Sequence, residues 1–293
     1  MNAGLRFVHP AAVLFYYIGV VVSLFVFKQP LYLLAAVAAG LLLVALQGGL
    51  ASRRRTIRFF LLVALATALL NPLISHRGSH ILFYWLDQPF TLESFAYGAL
   101  SAVSLFAVMI WFLSIQHVFT SDKIMHLFGA VSPKGALLLA MALRSLPLLA
   151  ARFGQIAAVQ RTKGVNPLEG PLRKRARDGM AFVQLMLTWT LEEGLQTADS
   201  MKARGYGSGP RTLFWPYRWR RRDGRFAAAF AAAGALCAVG WALGRTRYEV
   251  YPTLPTTVMP QGTEVIFWAG YAAYLCIPLA MEGRDRLRWR KLR

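Results

Sequence analysis

Long apolar runs alternate along this chain with arginine-rich stretches. The runs occupy residues 11–27, 31–50, 59–74, 95–115, 226–244 and 265–281. A helix needs roughly 17–25 apolar residues to cross the hydrocarbon core of a bilayer. The pattern therefore predicts an all-α polytopic membrane protein with about six transmembrane helices. Lys28-Gln29-Pro30 breaks the first two runs into a hairpin, because proline stops one helix and starts the next. Asn71-Pro72 is expected to end the third run, which is the shortest. The run after Arg6 lacks a small-residue cleavage pattern and reads as the first span.

Residues 119–225 break this rhythm. The segment is too long for a simple loop. It carries apolar positions at helical spacing: Leu139, Leu143, Leu146, Ala150, Phe153 and Ala157, then Leu187, Leu191, Leu195, Ala198 and Met201. Glu192, Gln196 and Asp199 fall on another face of the second stripe. The expectation is two long amphipathic helices on the cytoplasmic side, partly in the interface, with a basic break at Arg173, Lys174, Arg175 and Arg177. Pro147 should kink the first. Arg144 argues against a clean span over 137–149. Three regions follow: 1–118 with four spans, 119–225 with the amphipathic helices, and 226–293 with two spans and a basic tail.

Composition sharpens this picture. Hydrophobic residues make up 56% of the 293 and charged residues 16%, with a formal net charge of +20. In a soluble protein such charge would suggest nucleic acid. Here all but Lys28, Arg77, Arg245 and Arg247 of the 33 Lys and Arg fall on one side of the proposed spans. The positive-inside rule makes that side cytoplasmic, so both termini are cytoplasmic and the span number is even. The cations then face anionic lipid, and no nucleic acid is implied. Cys237 and Cys276 lie inside apolar runs and read as small core residues without a disulfide.

Catalytic signatures are lacking. The chain has no G-x-x-x-x-G-K-[ST] loop, no H-E-x-x-H, no zinc-spaced Cys/His pairs and no G-x-S-x-G. His76 and His80 are four apart in a non-cytoplasmic loop, where a solvated role outweighs a metal site; His9, His117 and His126 read as structural. Asp87 and Glu93 precede span four, Glu264 precedes span six, and five spans have no carboxylate in their interiors. A proton-coupled carrier usually holds an ionisable group at depth, so the energy source is expected to be external. No catalytic residue, metal or cofactor is assigned, and the chain is read as a non-enzyme.

The most informative peptide is Met201-Lys202-Ala203-Arg204-Gly205-Tyr206-Gly207, at the end of the second amphipathic helix. Glycine after arginine takes the left-handed cap conformation, and the guanidinium fork suits carboxylates or carbonyls in a groove. A lone surface arginine near a helix C-terminus, which also suits the macrodipole, is the competing reading. Gln160-Arg161-Thr162-Lys163-Gly164 closes the first amphipathic helix in the same way.

At these residues the chain resembles the transmembrane T component of energy-coupling factor (ECF) transporters, ATP-driven importers of vitamins and transition-metal ions. The resemblance also takes in His9-Pro10, Asn71-Pro72-Leu73, Ser75-His76-Arg77-Gly78, Thr120-Ser121-Asp122-Lys123 and Ala142-Leu143-Arg144-Ser145-Leu146-Pro147. It implies a multi-pass scaffold in the plasma membrane of a prokaryote. Two ABC-type ATPase subunits would bind its coupling-helix ends, and a small membrane S component would capture the substrate. In that family two Ala-Arg-Gly-like motifs end the coupling helices, and their arginines insert into the ATPases. Ala203-Arg204-Gly205 matches fully; the first motif reads Thr162-Lys163-Gly164, so Lys163 keeps the charge but loses the planar fork, and Arg161 is placed to share its role. The family commonly has one span after the coupling helices; two are expected here. The main rival is a permease subunit of a conventional ABC importer with its own translocation path, commonly marked by an E-A-A…G loop signature that this chain lacks. A second, an intramembrane or lipid-modifying enzyme, needs convergent polar groups at one depth.

Overall fold

The computed structural model describes residues 5, 8–75, 80–85, 88–165, 169–209, 217, 219–244, 246 and 262–291. His76, Arg77, Asp87, Arg245 and Arg247 lie outside the described residues. Among the described residues the regular structure is helical apart from one short hairpin. In order it forms α1 (Pro10–Val26), α2 (Pro30–Gly48), a 3-10 turn (Ala51–Arg53), α3 (Arg54–Ile74), β1 (Ile81–Trp85), β2 (Gln88–Thr91), α4 (Leu92–Val118), α5 (Ser121–Val131), α6 (Pro133–Thr162), α7 (Leu172–Ala203), α8 (Arg221–Ala242) and α9 (Glu264–Lys291). Two compact units emerge. One holds residues 1–124 and 217–293, the other 125–216, so the division falls within α5.

The first unit is a helix bundle. Proline sets φ for a first helical turn and lacks an N–H that would go unused there, so Pro10 and Pro30 open α1 and α2. His9 caps α1, its Nδ1 accepting the Ala11 N–H at 3.3 Å. Helix α3 packs on α4, α4 on α2, α2 on α9 and α9 on α8, while α1 lies against α4 and α8. The core is aromatic: Tyr16, Tyr17, Trp111, Phe226 and Tyr274 meet with ring centroids 5–6 Å apart (Tyr16–Tyr274 5.1 Å, Tyr16–Tyr17 5.4 Å, Tyr16–Phe226 5.9 Å). Several buried polar groups find partners, as a medium without water favours, although the Tyr16 and Tyr32 hydroxyls and Trp268 Nε1 have none among the described residues. Trp111 Nε1 donates to the Ala36 carbonyl at 3.1 Å, Tyr274 donates to the Tyr16 carbonyl at 2.9 Å, and the Tyr17 and Ser114 hydroxyls lie 2.7 Å apart. Gly40 lets α2 approach α4: a Cβ there would sit 2.9 Å from Ile110 Cγ2. Helix α3 is the opposite case, with only Ala64 and Pro72 buried and a row of leucines turned outward.

Several expectations need adjusting. Helix α3 begins at Arg54, five residues before the apolar run, because charged residues can carry a helix on into the headgroup region. Pro72 falls inside its last turn, which closes at Ser75 with a bond to the Asn71 carbonyl. Cys237 is buried but Cys276 is exposed, so only one of the pair is a core residue. Lys123 is not a solvated surface cation: it is 1% exposed and donates from Nζ to the Leu5 carbonyl at 3.1 Å. Leu5 in turn donates its N–H to Glu282 at 3.1 Å, and the His9 N–H reaches Asp223 Oδ1 at 3.4 Å. The start of the chain is thus tied to α5, α8 and α9. The antiparallel pair β1–β2, with Ile81 opposite Thr91 and Trp85 opposite Gln88, was not foreseen.

By length and apolarity, α2, Ala51–Ile74, α4, α6, α8 and Glu264–Arg284 of α9 are each able to cross a membrane; α1 is apolar but has 17 residues. Helix α6 belongs to this set although the sequence reading placed it in the interface, and it runs unbroken through Pro147.

Candidate partner-docking site

The second unit is built on two long helices. Helix α6 has 30 residues and α7 has 32, about 45 and 48 Å at 1.5 Å per residue. They touch at one crossing. Phe153 meets Phe182 edge-on at 4.7 Å, and the Arg152 guanidinium lies over the Trp189 ring at 5.0 Å. Such aromatic and cation–π pairs are each worth about 1 kcal/mol. Phe182 is the one buried residue of α7, and α6 has none.

Both helices end in the same way. In α6, Thr162 is the last helical residue, Lys163 is the cap and Gly164 turns to φ +75°. The Val165 N–H returns to the Gln160 carbonyl and the Gly164 N–H to the Arg161 carbonyl, both at 3.0 Å. In α7, Ala203 is last, Arg204 caps and Gly205 turns to φ +79°. The Tyr206 N–H returns to Met201 at 3.0 Å and the Gly205 N–H to Lys202 at 2.9 Å. These nested 6→1 and 5→2 bonds are Schellman motifs, which satisfy the carbonyls that a helix end leaves bare. Positive φ at the fifth position, Gly164 and Gly205, is what requires glycine.

The cap therefore consumes the backbone groups and leaves the side chains free. Arg161, Thr162, Lys163, Ala203 and Arg204 are all exposed. Among the described residues no hydrogen bond or ion pair holds the Lys163 or Arg204 side chain; the ion pair nearest in sequence, Lys202 with Asp199 at 3.9 Å, is largely exposed. Thr162 is occupied locally, its hydroxyl donating to the Val159 carbonyl at 2.7 Å. Arg204 and Lys163 thus occupy equivalent positions on equivalent caps. The sequence reading missed the crossing residues Arg152, Phe182 and Trp189, whose only signal was an aromatic off the leucine stripe. His80, half of the weighed histidine pair, is exposed and donates its backbone N–H to Glu93 at 3.2 Å.

An aromatic-cored bundle of apolar helices, joined in sequence to two long helices with almost nothing buried, defines a polytopic helical membrane protein. The family model described as CbiQ, cobalt transport protein, matches residues 4–213, a stretch that holds α1 to α7 and both caps, and the chain belongs to that family. Curated relatives bear the name energy-coupling factor transporter transmembrane protein EcfT. The chain is 31% identical to the one from Exiguobacterium sibiricum over 34% of its own length and 39% of the relative's. It is 26% identical to that of Lactobacillus helveticus over 50% and 57% of the two chains. With EcfT 1 of Listeria monocytogenes it shares 29% over 50% and 59%. The chain thus spans about two fifths to three fifths of the relatives it matches. Membership makes it a multi-pass transport component of the membrane.

Proposed function

We propose that this chain is the energy-coupling T component of an ATP-driven ECF-type importer for a vitamin or transition-metal ion, with no chemistry of its own. One ABC-type ATPase subunit takes Arg204 and a second takes Lys163, with Arg161 beside it. A small membrane S component packs on the exposed apolar surface and holds the substrate. ATP-driven approach of the two ATPases moves the helix ends, and the long helices transmit that movement. The observation that carries this reading is the pair of matching Schellman caps, each displaying at its cap position a cation without a partner among the described residues. The names of the EcfT relatives support it. The skew of Lys and Arg supports a cytoplasmic location for both caps and both termini.

Charge reversal tests the docking. Removing one partner of a desolvated charge pair costs about 2–5 kcal/mol. Arg204→Glu should therefore weaken co-purification of the ATPase subunits and uncouple ATP hydrolysis from uptake. Arg204→Lys should be milder, because charge remains but the fork is lost. Lys163→Arg should be tolerated. The double reversal at 163 and 204 should abolish assembly while the chain stays inserted. Normal transport by that double variant would overturn the reading. Orientation is checked separately: with Cys237 and Cys276 removed, a cysteine at Ser79 should react with an impermeant thiol reagent from outside and one at Ser208 should not.

A further inference from the structure

Helix α7 carries a second surface that the caps do not use. Leu172, Ala176, Met180 and Val183 follow one another at steps of four, four and three residues and so share one face. That face is bare: Leu172 is 83% exposed, Met180 70% and Val183 51%. It is not the face that meets α6, because Phe182 and Trp189 lie well round the helix from it. At about 100° per residue, Arg173 and Arg177 border the stripe on one flank and Arg175 on the other. All three are exposed, and no ion pair or hydrogen bond holds them among the described residues.

The placement of charge along α7 does not serve the helix. Cations in the first turns face the positive end of the macrodipole, and each such clash costs about 0.3–1 kcal/mol. Arg173, Lys174 and Arg175 sit in the first turn and Arg177 in the next, where Asp178 is the one carboxylate, while Glu192, Glu193 and Asp199 lie toward the other end. An external negative partner would offset this arrangement. A carboxylate-lined groove would match a single projecting cation, as at the caps. Cations straddling a leucine-type stripe match a different partner. They reach headgroup phosphates on both sides while the stripe enters the acyl boundary. We infer that the first three turns of α7, from Leu172 to Val183, bind the surface of a bilayer containing anionic lipid. Near such a surface each Lys or Arg contributes to attraction that decays within a Debye length, about 10 Å at 0.1 M salt. This surface works without ATPase subunits, so it stands or falls apart from the docking proposal.

The full chain in lipid nanodiscs provides the test. Met180→Cys, in a background lacking Cys237 and Cys276, carries an environment-sensitive fluorophore; Leu195→Cys carries the same probe beyond the basic stretch. In discs containing phosphatidylglycerol, emission from position 180 should shift to the blue relative to discs of phosphatidylcholine alone, and position 195 should not change. Raising the salt should reverse the shift without any further substitution. Arg173→Glu combined with Arg175→Glu and Arg177→Glu should abolish it in chains that still elute as a single species. Equal emission in neutral and anionic discs would overturn the inference. So would a blue shift that arises only when partner subunits are added, which would make the face a protein-docking surface.

Discussion

The two units solve opposite problems. In the first, α1 buries Tyr16, Tyr17 and Val20 on one face, and Trp111 of α4 is sealed by Ala36 of α2. In the second, α6 buries nothing and α7 only Phe182. The first unit has an aromatic core of its own, although α3 leaves its leucines turned outward. The second holds its shape by helical hydrogen bonds, two caps and one crossing, and leaves its side chains for something else. Elements that move or dock are drawn from regions with few buried contacts. The sequence sets the two regions apart by their apolar pattern, spans in one and amphipathic stripes in the other; packing shows how little the second buries.

Substitutions should separate the units sharply. The largest loss is expected from Trp111→Ala. Between helices in a bilayer the loss is one of packing and of a hydrogen bond rather than of transfer from water. Truncation of a buried aromatic costs about 3–5 kcal/mol, read as a lower melting temperature of the purified chain. Gly40→Leu should follow, at about 1–3 kcal/mol, because its Cβ already meets Ile110 and Trp111. Gly205→Ala and Gly164→Ala should each cost about 1–2 kcal/mol locally, since alanine resists positive φ. They should leave the global melt unchanged but speed amide exchange at Tyr206 and Val165. The smallest effect is expected from Leu191→Ser, within about 0.5 kcal/mol for the chain alone. A large drop there would mean that α7 is packed after all, and the contrast between the units would fail.

Much of this was legible in the sequence, for definite reasons. Apolar runs of bilayer length located α1 to α4, α8 and α9, and proline at positions 10 and 30 marked two helix starts. Glycine after a basic residue pointed to Gly164 and Gly205, where left-handed backbone demands it. Other features were hidden. The run Ile81-Leu82-Phe83-Tyr84-Trp85 has no period that separates a short strand from a buried helix. Lys123 looked like one more cytoplasmic cation, because nothing local to it announces the Leu5 carbonyl 118 residues away. The crossing of α6 and α7 depends on Phe182 and Trp189, which lie off the leucine periodicity and gain meaning only when a second helix meets them.

Amide deuterium exchange on the intact chain, with and without the ABC-type ATPase subunits proposed to dock on it, tests the central claim most directly. The account predicts that binding slows exchange at both caps, around 160–165 and 201–206, and leaves the amides of α1, α2 and α4 unchanged. Protection confined to the first unit, with both caps exchanging as before, would contradict it.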